Sequence, residues 1–196
     1  MELEKPSALR RKEIYRYLAC PENSPAADAL LDRCEAELLA AAQPRGVWRI
    51  LPREQAPEAL LLDEGDIARH LEGCSRLVLM AVTLGAGVER LLRRYSATDV
   101  ALATAADAAA SVLVDQMADV LEAHIRSQLA KDHWYMTGRY SPGYGNWPLP
   151  VQADLCRVLD TGRAIGLGVS ASYLMAPRKS VTAALGVANH PVKGRP

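Results

Sequence analysis

The sequence contains no phenylalanine and no Cys-x-x-Cys pair. Its four cysteines, Cys20, Cys34, Cys74 and Cys156, are scattered along the chain, which argues against a zinc cluster and against a disulfide scaffold. Hydrophobic residues make up 49% of the chain, so its core must consist of aliphatic side chains with a few tyrosines and tryptophans. Scattered thiols suit a reducing compartment, and we therefore expect a cytoplasmic protein.

The chain also lacks an excess of charge of either sign. Lys plus Arg and Asp plus Glu are both 23, which gives a formal net charge of zero and argues against non-specific binding to nucleic acid or a membrane surface. Apolar runs such as 77–84 are far shorter than the roughly 20 residues that span a bilayer. The charged start over 1–12 does not resemble a signal peptide. We expect a chain that binds neither nucleic acid nor membrane.

The length of 196 residues and the mixture of periodicities predict one α+β domain over 1–196. The N-terminal region, 1–45, is predicted to be helical, with a second helix that begins at Ser24 and Pro25 and ends before Pro44. Further predicted elements are a first helix over 8–18, extended pieces over 47–51 and 60–62, a short helix over 66–71, a buried strand over 76–83 and a tail over 191–196.

The second half of the chain is predicted to begin with a long helix over about 97–131. Ser96 and Asp99 before it resemble a capping box. A shorter helix is expected over 151–159, and a hairpin is expected to pair 166–174 with 180–187 through the turn 176–179.

The long helix carries an acidic edge opposite its apolar stripe. Asp115, Asp119 and Glu122 fall at i, i+4 and i+7 and so share one helical face. This edge is either a solvated surface, or some of its carboxylates line a site for a cationic ligand.

The loop after the long helix combines a permanent cation with aromatic side chains and glycines. Arg139 is suited to holding a carboxylate through two hydrogen bonds, and the aromatic faces of Tyr140, Tyr144 and Trp147 suit a ring or a cationic sulfur. Gly143 lets a ligand approach the backbone. The loop is therefore either a site for a small ligand with a carboxylate, an aromatic base and a positive centre, or a structural turn packed with aromatics.

The stretch Arg139-Tyr140-Ser141-Pro142-Gly143-Tyr144 resembles the Arg-x-x-x-Gly-Tyr signature of the activation domain of cobalamin-dependent methionine synthase. The run 169–181 is similar to that domain's second block, with Met175, Pro177 and the pair Ser180-Val181 at the family spacing. Upstream, Arg16-Tyr17-Leu18 and Thr83-Leu84-Gly85 are similar to features of stand-alone members. The resemblance is strongest over about 109–187.

This resemblance implies a C-shaped α+β domain, with helices packed around a central, mainly antiparallel twisted sheet. It also implies that the domain binds S-adenosylmethionine. Arg139 is then expected to hold the methionyl carboxylate and Asp115 or Asp119 the ammonium group. The remaining contacts are expected from Tyr140, Ser141, Pro142, Gly143 and Tyr144.

The implied partner is a cobalamin-dependent methionine synthase or another corrinoid protein, whose oxidised cobalamin is methylated again with an electron from a flavodoxin-type donor. This chain has no Asp-x-His-x-x-Gly cobalamin loop, so cobalamin is expected only on the partner. Its four histidines are dispersed, and no Ser-His-Asp or Cys-His arrangement is evident. A domain that only binds and orients an activated methyl donor needs neither.

In two respects the sequence differs from family members in which the activation domain is fused to the synthase, and these differences leave alternatives open. No tyrosine follows Tyr173, and the region 17–21 has no clear counterpart of an N-terminal aspartate. The alternative is a non-catalytic interaction subunit that stabilises a corrinoid methyltransferase without using S-adenosylmethionine. An ordinary methyltransferase acting on a small molecule is the third reading, but the sequence shows no parallel α/β pattern with a glycine-rich turn after an early strand.

Overall fold

The computed structural model describes residues 1–192, in which a four-stranded antiparallel sheet has helices packed on both faces. Its strands are β1 (Arg45–Pro52), β2 (Arg76–Thr83), β3 (Tyr135–Met136) and β6 (Ser180–Ala188). They lie in the order β1-β2-β6-β3. Two further short strands, β4 (Gly168–Val169) and β5 (Met175–Ala176), form a separate pair.

The helices fall into two sets on opposite faces of this sheet. They are α1 (Arg11–Tyr17), α2 (Pro25–Ala41), α3 (Gly65–His70), α4 (Ala86–Thr98), α5 (Val100–Ala130), α6 (Val151–Leu159) and α7 (Thr161–Ile165). Helices α1, α2, α4 and α5 share one apolar core, and α3, α6 and α7 share the other. The predicted mixture of helices with a mainly antiparallel sheet is therefore confirmed.

Strand β2 is apolar from Leu77 to Val82 because both of its faces are covered. Val78, Met80 and Val82 belong to the core shared with α5, whereas Leu77 and Leu79 belong to the core shared with α6. Successive side chains of a strand point to opposite faces, so a strand buried on both sides shows no alternation of polar and apolar residues.

Helix α5 forms the centre of the larger core. In length and composition it is apolar enough to cross a membrane, although the sequence shows only short unbroken apolar runs. Within the described structure most of its apolar residues are buried against α2, α4 and the sheet. Small residues such as Ala105, Ala106 and Ala109 are fully or almost fully buried, which is consistent with close packing of neighbouring elements.

Two local predictions were wrong. Ser96 does not cap the long helix, because it lies in the last turn of α4 and its hydroxyl donates to the Leu92 carbonyl. Asp99 has an extended backbone between the helices, and its side chain accepts the Leu102 N–H at 3.0 Å, so α5 begins at Val100. The segment 60–62 is also not extended, since a 3-10 turn covers Glu58–Leu60.

The predicted hairpin between 166–174 and 180–187 was also wrong. Strand β6 pairs with β2 and β3, while Gly168–Val169 pairs with Met175–Ala176. The physical reason is burial: β6 is almost wholly buried, and pairing with the equally buried β2 satisfies its backbone groups away from water. The predicted tail over 191–196 lies largely outside the described residues.

Candidate functional site

The two sequence motifs meet at one cleft beside the sheet. The cleft has a volume of about 380 Å³, within the usual range for small-molecule sites. Its lining comes from α5, the Arg139 loop, α6, β5 and the start of β6. These residues are Asp115, Arg139, Tyr140, Ser141, Pro142, Tyr144, Gln152, Met175, Ser180, Val181 and Thr182.

The sheet and a buried tryptophan fix the conformation of the Arg139 loop. Tyr140 exchanges two backbone hydrogen bonds with Ala184 of β6, at 2.9 and 2.8 Å. Gly143 has a φ of +90° and donates its N–H to the Trp147 carbonyl at 2.8 Å. Trp147 is 1% exposed, and its indole N–H donates to the Leu60 carbonyl at 2.8 Å. Gly143 therefore shapes the turn, whereas its neighbours Pro142 and Tyr144 line the cleft.

Arg139 is held from α5 by two carboxylates. Its guanidinium donates to Asp119 at 2.7 Å and to Glu122 at 2.9 Å, and its side chain is only 9% exposed. Arg10 donates to the other oxygen of Asp119 at 2.6 Å, and Arg126 donates to Glu122 at 2.9 Å. Within the part of the chain that is described, the two carboxylate contacts use two of the five N–H donors of the Arg139 guanidinium.

The structure separates the two aspartates that the sequence left as alternatives. Asp115 lines the cleft, and the Tyr17 hydroxyl donates to it at 3.3 Å. Asp119 instead bridges Arg139 and Arg10. Of the two, only Asp115 is in the cleft lining, whereas Asp119 contacts the Arg139 guanidinium.

Burial alone would raise the pKa of Asp119, but hydrogen bonds from Arg139 and Arg10 outweigh it and hold that pKa below the ordinary value of 3.8. A carboxylate whose folded pKa is lowered stabilises the fold above its unfolded pKa, and this stabilisation is lost as the pH falls. The contribution of Asp119 is therefore present at neutral pH and disappears in acid.

We expect the Asp119→Asn variant to have a lower free energy of unfolding than the wild-type chain at pH 7. The difference between the two should shrink as the pH falls from about 4 through the lowered pKa of Asp119, because the wild-type carboxyl group then becomes neutral as well. Urea unfolding of both chains at pH 7, 5, 4 and 3 measures this difference. A difference that stays constant over the series would contradict the assigned role of the Asp119 charge.

Gln152 is a cleft residue that the sequence analysis missed. It is buried, donates to the Tyr173 carbonyl at 2.8 Å and accepts from the Thr182 hydroxyl at 3.3 Å. The sequence pattern could have indicated Gln152, because it shares the buried face of α6 with Leu155 and Leu159. A polar side chain on such a face needs a specific hydrogen-bond partner. Ser180 belongs to the second motif and was not predicted as a site residue. It also lines the cleft, and its hydroxyl donates to the Thr83 hydroxyl at 2.9 Å.

The chemistry available at the cleft is recognition of charge and shape. It presents a carboxylate, a guanidinium, the partly buried ring of Tyr140 and the exposed ring of Tyr144. Across residues 1–192, no group of three or more His, Cys, Asp or Glu side chains is arranged to hold a metal ion. The arrangement can bind a ligand that carries both charges and orient it against the rings of Tyr140 and Tyr144.

Comparison with known proteins identifies the family and the fold. A search of curated proteins gives no match. Among solved structures, the chain is similar to the MetH reactivation domain bound to AdoHcy, with a TM-score of 0.61 and 19% sequence identity over 94% of this chain and 68% of the other. The model of the activation domain of vitamin B12 dependent methionine synthase matches residues 53–192, a range that includes every residue lining the cleft. The chain therefore belongs to the family of vitamin B12-dependent methionine synthase activation domains.

Proposed function

We propose that the cleft binds S-adenosylmethionine and that the chain presents its methyl group to the cobalamin of a separate methionine synthase or related corrinoid protein. The observation that carries the proposal is the meeting of both motifs at one cleft that contains Asp115 and Arg139. A carboxylate and a guanidinium in one pocket match the ammonium and carboxylate groups of a methionyl end. Asp115 takes the ammonium group and Arg139 the carboxylate.

The rest of the cleft fits the remaining parts of this ligand. Tyr140 and Tyr144 offer aromatic faces, which attract both a flat base and a positively charged sulfur. Pro142 and the hydrogen bonds within the loop keep it in one conformation, so little flexibility is lost when the ligand binds. The structural relative is a reactivation domain bound to AdoHcy, which differs from S-adenosylmethionine by one methyl group and its positive charge.

In the proposed role, this chain binds S-adenosylmethionine and orients it. When bound, S-adenosylmethionine supplies a methyl group that its sulfonium charge already activates. Arg139 and Asp115 fix the methionyl end, and the tyrosines hold the remainder against the cleft wall. The cobalamin, together with the electron that a flavodoxin-type donor supplies, belongs to the partner proteins, and the chain acts in the cytoplasm as their accessory subunit.

Two measurements test this function. Titration calorimetry of the full chain with S-adenosylmethionine should give saturable binding with one ligand per chain. A methionine synthase that lacks its own activation region and has been oxidised should regain turnover with a reductant only when both this chain and S-adenosylmethionine are present. Recovery that needs the chain but not the methyl donor would contradict the presenting role.

A second candidate function rests on the ion pairs that Arg139 forms with Asp119 and Glu122. Both of its carboxylate partners come from this chain, and such a network can also serve only to fix the loop against α5. The chain would then stabilise a corrinoid methyltransferase without using S-adenosylmethionine. Calorimetry that detects binding of the partner protein but not of S-adenosylmethionine, either free or in the complex, would favour this candidate.

A further inference from the structure

The N-terminal segment lies along the polar edge of α5 that borders the cleft. The backbone N–H of Arg10 donates to the Gln116 side chain at 3.3 Å, and the Arg10 guanidinium donates to Asp119 at 2.6 Å. Ile14 and Tyr15 of α1 are buried, so this segment is packed in place. It lies outside residues 53–192, the range that the family model matches. The family comparison therefore assigns it no part in the site.

Tyr17, in the last turn of α1, reaches the carboxylate of the cleft itself. Its hydroxyl donates to Asp115 at 3.3 Å, although 58% of the residue is exposed. Desolvation raises the pKa of the Tyr17 hydroxyl, and Asp115 and Tyr144 raise it further, so this hydroxyl remains a neutral donor at neutral pH. Tyr144 lines the cleft and is 68% exposed. Asp115 thus has an exposed tyrosine nearby from each of two distant parts of the chain.

We propose that Tyr17 is a specificity-determining residue of the cleft, which together with Tyr144 favours a positively charged sulfonium ligand over the corresponding neutral thioether. This inference rests on the proposed function. An aromatic face attracts a cation through its quadrupole, and at a partly exposed site this attraction changes affinity by about two- to fivefold. Because Tyr17 donates its hydroxyl to Asp115, the ring is held beside the carboxylate that binds the methionyl end of the ligand.

A pair of ligands isolates the charge of the sulfur from every other contact. S-adenosylmethionine and S-adenosylhomocysteine share the methionyl and adenosine groups and differ in the methyl group and its charge. The ratio of their dissociation constants therefore reports how strongly the cleft prefers the sulfonium. A residue that only shapes the cleft wall changes both constants alike, whereas a residue that recognises the charge changes the ratio.

Calorimetric titration of the full-length wild-type chain and of Tyr17→Leu and Tyr17→Phe with both ligands tests the proposal. Tyr17→Leu should reduce the preference for S-adenosylmethionine by about two- to fivefold, with little change in the affinity for S-adenosylhomocysteine. Tyr17→Phe keeps the ring but removes the hydroxyl that holds it beside Asp115, so it should retain only part of the preference. Tyr135→Leu is the matched control and should leave the ratio unchanged, since Tyr135 is an exposed tyrosine on β3 that pairs with Ala188, at the opposite end of β6 from the cleft.

The outcomes separate this inference from the proposed function. If the wild-type chain binds both ligands and Tyr17→Leu leaves their ratio unchanged, the role of Tyr17 is overturned while S-adenosylmethionine binding stands. An equal loss of affinity for both ligands overturns it too, because Tyr17 then acts only on the shape of the cleft. If the wild-type chain binds neither ligand, the proposed function fails and this inference fails with it.

Discussion

Replacing Arg139 by alanine is expected to weaken S-adenosylmethionine binding by about 10- to 150-fold, which corresponds to about 1.5–3 kcal/mol for the loss of a charge-assisted hydrogen bond. The same change leaves Asp119 and Glu122 without their shared cation. Breaking a largely buried pair in this way destabilises a fold by on the order of 3 kcal/mol. The free energy of unfolding from urea titration and the dissociation constant from calorimetry measure the two effects separately.

Two further variants control for this double effect. Arg139→Lys keeps the positive charge, but an ammonium group lacks the planar guanidinium that contacts both carboxylates. Compared with Arg139→Ala, this variant should regain part of the lost stability and a smaller part of the lost affinity. Arg157→Ala removes an exposed arginine that is paired with Asp154 on α6, and we expect a loss of less than about 1 kcal/mol and unchanged binding. An Arg139→Ala chain that folds and binds like the wild type would exclude Arg139 from the site.

Replacing Trp147 by alanine is expected to destabilise the chain by about 3–5 kcal/mol, because a large buried side chain is removed and a cavity remains. For a domain of this size, that loss lowers the melting temperature by about 6–20 °C. Trp147 also closes the Arg139 loop through backbone bonds with Gly143 and Tyr144. Alanine keeps these backbone bonds but loses the buried indole that fastens the loop to Leu60, so affinity for S-adenosylmethionine should fall even at temperatures where the variant is folded.

The Trp147→Phe variant separates packing from hydrogen bonding. It keeps most of the apolar volume but leaves the Leu60 carbonyl without the indole N–H, so we expect a smaller loss of about 1–3 kcal/mol. Thermal unfolding followed by circular dichroism measures both variants. A Trp147→Ala chain that melts within about 2 °C of the wild type would show that the indole does not anchor the loop.

The elements that the sequence predicted best are those whose local pattern agrees with their tertiary surroundings. The strand over 76–83 was predicted with its observed bounds, because a strand buried on both faces is apolar throughout. Both ends of the long helix lie within a few residues of their predicted positions, since α5 runs from Val100 to Ala130 and the prediction was about 97–131. Asp99 has an extended backbone and is the single residue between α4 and α5. The helical spacing of apolar residues therefore continues almost unbroken from one helix into the next, which obscures the boundary.

The sequence motifs predicted the Arg139 loop as the centre of a candidate site, since a cation, aromatic rings and glycines lie together in one short stretch. The other side of the cleft was harder to predict. Gln152 and Thr182 are separated along the chain from Arg139 and from each other, and they reach the cleft only because α6 and β6 pack beside the loop. Contacts between distant segments depend on how layers stack, which a local pattern does not contain.

The sequence by itself determined the motif residues, the buried strand, the helical content and the family resemblance, because each depends on neighbouring residues or on short-range periodicity. Only the tertiary structure decided that Asp115 lines the cleft while Asp119 holds Arg139, since both lie on the same helical face and differ only in what packs against them. It also decided that Tyr17 reaches Asp115 across 98 positions of the chain. These roles follow from the packing of α1 and of the Arg139 loop on α5, which the residues of α5 alone do not specify.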